Sequence, residues 1–284
     1  MRQTAEYVRR PTMSAGGSRA AFFDATYRGF AGDVRTQVRR ETYDRDLGQT
    51  GWLDLAEWRT FARRLGCESG SRVLDVACGS GGPALQLVRE TGADVVGVDV
   101  HADAIDNASD AARRAALEAH ARFELRDASS PLAFPDASFD AIVCIDAIHH
   151  FPDRAAVLAD WRRLLRPGGR VLFTDPTVLT GVASRDELDQ RAAVGYFTFT
   201  PPGENERLIA AAGLELRLCE DVTASVATVA ERWQAARRRH REALEHDEGR
   251  EAFARTQRFL GTTARLARER RVSRHVLLAR APAS

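Results

Sequence analysis

The sequence predicts one α/β fold: a largely parallel sheet with helices on both faces, extended by helices at its N-terminal side and before its last strand. Three observations lead there. Short apolar runs alternate with amphipathic segments from Arg72 onward. A Gly-rich bend at 79–82 joins the first apolar run to the helix behind it. Upstream, from Ala20 to Leu65, apolar residues recur only at helical spacing.

Residues 1–18 are polar and rich in Gly, Ser and Arg, so they read as a disordered tail. A helical cap over 19–66 follows, in segments around 21–30, 34–47 and 53–65. The central unit, 67–176, opens with a strand at 72–77. A helix at 82–91, a strand at 94–98 and a long helix at 103–119, capped by Asp103, come next. Strands at 122–126, 139–145 and 170–175 complete the alternation, which implies parallel pairing. Between the last two lies a helix at 154–165, closed by Pro167-Gly168-Gly169. After Pro176 the periodicity loosens. Residues 177–222 hold an aromatic, Pro-rich loop at 195–203, a helix at 204–212 ended by Gly213, and a sixth strand at 214–220. Amphipathic helices near 226–245 and 251–271 make a helical insertion, 223–271, and 273–281 supplies a last strand within 272–284.

Composition narrows the chemistry. The 284 residues are 44% hydrophobic, ample for a buried core, and 41 basic against 40 acidic residues leave a net charge of +1. No whole-molecule field draws the protein to nucleic acid or an anionic membrane, so a small-molecule partner is expected. Every basic residue is Arg. The absence of Lys excludes a Schiff-base amine, a Walker A lysine, a Ser-Lys dyad and a Tyr-Lys reductase pair. The four cysteines form no C-x-x-C pair and read as reduced thiols, and the seven histidines show no metal-ligand spacing, so no metal is expected. No apolar run approaches the roughly 20 residues that span a bilayer, and no signal-like segment opens the chain, so a cytoplasmic protein is expected. The late amphipathic helices leave two arrangements open, a roof over the site or a homodimer contact.

The chemical signal is Val73-Leu-Asp-Val-Ala-Cys-Gly-Ser-Gly-Gly-Pro83, a strand running into a bend that opens a helix. Glycines there allow close backbone approach to a ligand. Taken alone, the bend also fits G-x-G-x-x-A with Asp99 roughly 20 residues on, which leaves a nicotinamide dinucleotide site open. A lone Asp at a strand end is usually a cap or turn former, so Asp99 and Asp127 carry weight only jointly.

Further matches stand in order. Asp75 precedes the bend, Asp127 ends the third strand, and Phe134-Pro-Asp-Ala-Ser-Phe-Asp-Ala-Ile142 leads into Ile148-His-His-Phe-Pro152. Leu165-Arg-Pro-Gly-Gly169 precedes the fifth strand. In these features the chain resembles the class I S-adenosylmethionine-dependent methyltransferases, particularly the branch of ubiquinone and menaquinone C-methyltransferases, over about residues 70–176. Ala77 departs from the pattern, since many members have Gly there. The resemblance implies a Rossmann-like sheet of seven strands with the last antiparallel. It also implies S-adenosyl-L-methionine as donor and S-adenosyl-L-homocysteine as product.

It further implies roles. Asp75 would lie near the methionyl ammonium, with Ala77, Gly79, Ser80 and Gly81 passing beneath the cofactor. Asp99 would accept both ribose hydroxyls, Val100 would pack on the adenine, and Asp127 and the Ala128 amide would meet the adenine edge. The Ile145 carbonyl and Asp146 would border the methionyl end. From the cap, Gln49, Trp52 and Tyr27 complete the cofactor set. A general base is sought in His149 or His150, adjacent residues of which at most one acts, with Glu204, Glu206 and Tyr196 as further catalytic candidates. Simple packing of either ring is an equally open reading. Phe23, Tyr27, Trp52, Tyr196, Phe197 and Phe199 would wall an apolar acceptor pocket.

The run 237–241, Arg-Arg-Arg-His-Arg, is consistent with a grip on a phosphate, as in an isoprenoid diphosphate, but reads better as a helix face laced with charge pairs. The expected activity is methyl transfer to a small molecule, of the secondary-metabolite or isoprenoid kind. A dehydrogenase on the same bend and a non-catalytic cofactor-binding protein are the alternatives. Nucleic-acid methylation is disfavoured because Thr200-Pro-Pro-Gly203 lacks both the acceptor and the aromatic residue of such catalytic strings.

Overall fold

The computed structural model describes residues 21–283, so the tail expected over 1–18 lies outside the described residues. Seven strands form one sheet in the order β3-β2-β1-β4-β5-β7-β6. They are β1 (Arg72–Val76), β2 (Asp94–Asp99), β3 (Ala121–Leu125), β4 (Phe139–Cys144), β5 (Leu165–Leu179), β6 (Glu215–Asp221) and β7 (Val272–Arg280). The first five pair in parallel, and β7 runs antiparallel to both β5 and β6. This is the seven-stranded, last-antiparallel sheet expected from the resemblance.

Period-two alternation sorts the sheet's apolar residues onto two covered faces. Val73, Val95, Ala141, Val143 and Leu172 pack against α3 (Leu55–Leu65), α4 (Gly82–Thr91) and part of α5 (Ala102–Arg114), where Trp58 and Phe61 are buried. Leu74, Val76, Val98, Ile142 and Phe173 face the other way, toward Trp161 of α6 (Arg154–Leu164) and Ile209 of α8 (Glu204–Ala211). Each large side chain so buried contributes about 1.5–3 kcal/mol. Because both faces are covered, the strands read as near-continuous apolar runs.

Several boundaries differ from those expected. The α5 helix begins after His101, with Asp103 in its first turn instead of at its cap, and stops at Arg114 because Ala116 takes a left-handed φ of 53°. The cap helices are α1 (Ala21–Arg28) and α2 (Asp33–Thr42). Helix α2 ends early where side chains capture the next turn: the Leu47 amide donates to Gln49 Oε1 and the Gly48 amide to Asp46 Oδ1. Helix α6 ends at Leu164, and Pro167-Gly168-Gly169 follows it already inside β5, with a register shift against β4 between Phe139 and Ala141. The extra helix α7 (Arg185–Arg191) was not expected, although Ser184 and Glu187 form a capping box that its sequence spells out. The insertion is three helices instead of two: α9 (Thr223–Arg239), α10 (Arg241–Glu248) and α11 (Arg250–Arg268), broken at His240 and at Gly249, whose φ is 87°.

The run 237–241 sits at the α9–α10 joint. Arg237 is buried against Glu248 and the Phe253 ring, Arg239 and His240 pair with Glu41, and Arg241 pairs with Glu245. The charge-paired reading of this run describes it better than a phosphate grip, although Arg237 is not solvated.

One polar knot joins cap, sheet and insertion. Asp146, just past β4, accepts from Arg274 Nε at 2.6 Å, from Thr174 Oγ1 at 2.8 Å and from the Trp52 amide at 2.8 Å. Arg274, on β7 and fully buried, also donates to Glu57 Oε2 of α3 at 2.5 Å. Replacing one member of a buried ion cluster strands the others in low dielectric. Arg274→Met is therefore expected to cost about 3–5 kcal/mol of unfolding free energy, read from the urea midpoint. An unchanged midpoint would remove the knot from the list of supports.

Candidate active site

The bend after β1 is shaped by left-handed residues. Ala77, Gly79 and Gly81 have φ of 56°, 54° and 75°. Ala77 carries a methyl group through a conformation that costs an L-residue about 1–2 kcal/mol, the local price of its departure from Gly. At Gly82 a side chain is impossible, because an added Cβ would lie 1.5 Å from the Leu47 carbonyl oxygen. The cap loop thus crosses directly over the N-terminus of α4. Helix α1 covers the bend from the other side: the Tyr27 hydroxyl sits 2.9 Å from where a Cβ on Gly79 would be.

Three carboxylates gather along the adjoining strand ends. Asp75 is 5% exposed and has no hydrogen-bond partner among the described residues. Burial, and then the neighbouring Asp99, push its carboxyl up to about 8. Asp99 is buried but held: its Oδ2 accepts from the Gly79 amide at 2.9 Å and its Oδ1 from the His101 amide at 3.0 Å. Each oxygen keeps a second lone pair for a ligand hydroxyl. Asp127 is exposed, and its Oδ1 accepts from the Ser129 amide at 2.8 Å. Between Asp99 and Asp127, Val100 is 56% exposed, a flat apolar surface left on the rim.

A cavity of about 370 Å³ opens beside this array, with two chemically distinct ends. Ala77, Asp99, Val100, Asp127 and Ala128 line the polar end. Phe22, Phe23, Trp52, His149, His150, Phe197, Trp233 and Phe259 line the aromatic end, with Tyr27, Ile145, Asp146 and Tyr196 also on its wall. The two histidine rings lie 4.0 Å apart between centroids, yet they are fixed differently. His150 Nδ1 is 2.7 Å from the Tyr196 carbonyl oxygen, which only accepts, so Nδ1 carries the proton and Nε2 is the basic nitrogen. Burial pushes His150 down to about 4 against the pull of that carbonyl, so the ring is neutral at physiological pH. His149 is buried against Phe197, its Nδ1 has no partner among the described residues, and burial followed by His150 holds it far below the usual histidine range.

Other expected site residues are placed elsewhere or used otherwise. Glu204 lies in the first turn of α8 paired with Arg207, and Glu206 accepts from the Cys219 thiol; neither lines the cavity. The reason is topological. The loop at 192–203 returns to bridge Val178 with Thr200, which sends α8 to the α6 side of the sheet. Gln49 is buried in its own loop, donating to the Arg45 and Leu53 carbonyls, and does not reach this cavity. The Asp146 carboxylate is consumed by the Arg274 knot, so only the outer part of that residue borders the cavity. Tyr196 offers His150 its carbonyl. Phe199 packs with Leu188, Leu266 and Val272 instead of walling the pocket. Ser80 is buried in the bend with its hydroxyl unpartnered among the described residues, and it does not line the cavity.

Known proteins decide what this architecture belongs to. A family model described as a methyltransferase domain matches residues 73–169. Methyltransferase GfsG of Streptomyces halstedii is 37% identical over 230 residues, covering 74% of this chain and 81% of that protein. The 27-O-demethylrifamycin SV methyltransferase of Amycolatopsis mediterranei is 32% identical over 195 residues, 66% of this chain and 70% of its own. The cyclopropane synthase MmaA2 of Mycobacterium tuberculosis shares the fold, with a TM-score of 0.79 at 18% identity over 91% of this chain and 98% of that one. The chain belongs to the class I S-adenosylmethionine-dependent methyltransferases. It is a methyl-transferring enzyme for small molecules, and the dehydrogenase and non-catalytic alternatives have no support among these relatives.

The chemistry of the residues here suits that donor. Asp75 does not itself line the cavity, but it is a buried carboxylate without a hydrogen-bond partner among the described residues, the kind of group an ammonium satisfies, and Asp99 and Asp127 on the cavity wall retain acceptor capacity. Sequence reasoning missed Phe22, Trp233, Phe259 and Arg191 of the aromatic end, which come from four helices distant in sequence. Only Phe22 stood next to a residue already suspected, Phe23. A second cavity of about 440 Å³ lies among α1, α2 and the insertion and shares Phe22, Thr50 and Trp233 with the first. Among the described residues no helix is long and apolar enough to cross a membrane.

Asp75 gives the free methyltransferase a measurable pH dependence. The folded chain keeps a proton on it up to about pH 8, whereas the unfolded chain loses that proton near pH 4. Stability attributable to Asp75 is therefore lost as pH rises through this window, by up to about 1.4 kcal/mol per pH unit. Between pH 6.5 and 8, where the histidines titrate alike in both proteins, urea midpoints should fall more, or rise less, for the parent than for Asp75→Asn. Parallel curves would show that Asp75 is ionised in the free protein.

Proposed function

We propose that the methyltransferase moves the methyl group of S-adenosylmethionine to a hydroxyl oxygen of an apolar small molecule, with His150 accepting the hydroxyl proton. One observation carries this reading: the hydrogen bond from His150 Nδ1 to the Tyr196 carbonyl, which leaves Nε2 as the basic nitrogen in an aromatic-lined chamber. A sulfonium is already an activated leaving group, so the protein's task is alignment, exclusion of water and removal of one proton. The relative named for 27-O-demethylrifamycin SV supports oxygen as the acceptor atom.

In this proposal the donor lies along the polar end. Asp75 meets the methionyl ammonium, Asp99 the ribose hydroxyls, Val100 the adenine face, and Asp127 with the Ala128 amide the adenine edge. Gly79 and Gly81, with Ala77 and Ser80 in the same bend, let the backbone approach. The Ile145 carbonyl borders the methionyl end. The central unit, 67–176, is the donor half. The cap, 19–66, and the insertion, 223–271, enclose the acceptor, since Phe22, Phe23, Trp52, Trp233 and Phe259 come from them. Helices α9 and α11 roof this chamber within one chain, supplying Trp233 and Phe259 to its wall.

Two measurements test the reading. His150→Ala is expected to lower kcat by about 10²–10⁴-fold with S-adenosylhomocysteine affinity unchanged, the range of a lost general base. His149→Ala should reduce stability more than turnover, because its buried ring packs on Phe197. Full turnover in both variants would sink the base assignment. Separately, an ammonium beside Asp75 should drive off its proton. Calorimetry at pH 7 in buffers of different ionisation enthalpy should then show close to one proton released per S-adenosylhomocysteine bound, and none for Asp75→Asn. Equal release by both proteins would place the ammonium elsewhere.

A further inference from the structure

Four arginines are buried among the described residues, and three are paired: Arg154 with Asp175, Arg237 with Glu248, and Arg274 with Asp146 and Glu57. The fourth, Arg191, is not. It ends α7 at 1% exposure with no carboxylate in ion-pairing range among the described residues. Its Nη2 donates to the Pro176 carbonyl at 3.3 Å, and its Nη1 is buried without an acceptor. The guanidinium carbon lies 5.6, 5.0 and 5.2 Å from the ring centres of Trp52, Phe197 and Phe259. Those rings hold the cation by their π-faces but offer its N–H groups no oxygen. Burial lowers the group to about 10, and Asp146 and Asp175 act against that fall from a distance, so it stays a cation at neutral pH.

Buried charges that lack a partner are costly and are retained where something else pairs them. Arg191 lines the same cavity as His150, so the partner is within reach of an acceptor. We propose that Arg191 is a specificity residue of the acceptor chamber: the methyltransferase selects an acceptor whose apolar body carries a carboxylate, and that carboxylate takes Nη1 while the hydroxyl to be methylated lies at His150. This rests on the acceptor reading given above and adds the charge of the substrate to it. A planar monoanion suits the unpartnered Nη1, because fork-like guanidinium donors match carboxylates in their plane.

The test uses binding, so that it does not depend on which atom is methylated. Calorimetry with 2-naphthoate and its neutral isostere 2-naphthamide, on the full chain saturated with S-adenosylhomocysteine, reads the preference for an anion. The parent should bind the carboxylate at least about tenfold more tightly than the amide. Arg191→Met should abolish the preference while leaving S-adenosylhomocysteine affinity intact, and Arg191→Lys should keep part of it. Equal binding of the two probes by the parent, or a preference that survives Arg191→Met, overturns the proposal and leaves the cation as packing for the rings. If Arg191→Met does not fold, the parent's carboxylate-to-amide ratio decides alone. Neither probe carries a hydroxyl, so failure here leaves the His150 test standing.

Discussion

The buried contact between Asp146 and Arg274 is the constraint on which the site's shape depends. Asp146 sits at the end of β4 with φ of 52°, a left-handed conformation that an Asp side chain tolerates better than most. Its carboxylate fastens the Trp52 amide of the cap loop, Thr174 of β5 and Arg274 of β7 at one point. Through Glu57 the same arginine reaches α3. Cap, central strands and the strand after the insertion are thereby set at fixed positions around the cavity. The backbone strain at Asp146 is held by the network that its side chain makes.

That knot also explains the division of labour among the acidic residues. Asp146 is spent on structure, and Asp175 is spent on Arg154, which binds the β5 end to Thr198 and Asn205. Asp75, Asp99 and Asp127, near the strand ends, are carboxylates that retain capacity for a ligand. At the aromatic end the balance reverses, with two neutral histidines and one unpaired guanidinium. The cavity wall therefore carries Asp99 and Asp127 together with His101 and Arg126 near the strand ends, and the buried Arg191 cation among the aromatic rings. Such an arrangement orients a charged donor and an acceptor before any chemistry occurs.

Helices α1, α7, α9 and α11 supply side chains to the aromatic end of the cavity. Helix α1 is attached by His101 Nδ1 to Asp24 at 2.7 Å and by Asn107 Nδ2 donating to the Tyr27 carbonyl at 2.8 Å, both contacts with the segment after β2. Helices α9 and α11 pack on the cap through Tyr43, Trp52 and Phe259. Changes of ring size at Phe22, Trp233 or Phe259 alter the chamber without touching the strand ends.

The sequence by itself determined the fold class and the cofactor. The bend at 79–82, Asp75, Asp99 and Asp127 are local signals, each at a strand end whose apolar period is unambiguous, so fold class and cofactor were legible together. Short-range signals also marked α7, through the capping box at 184–187, though the loosened periodicity around it hid the helix. What only the tertiary structure decided was the use of polar groups whose partners lie far away in sequence. Asp146 reads like its neighbours on the rim until Arg274, 128 residues on, claims it. Glu204 reads like a catalytic acid until the return of the 192–203 loop carries α8 away from the cavity. Arg191 is one arginine among many, and its lack of an anion exists only once three rings and a helix end close around it. Periodicity reports which face a residue turns inward, but pairing is a property of distance in space, and no local pattern encodes it.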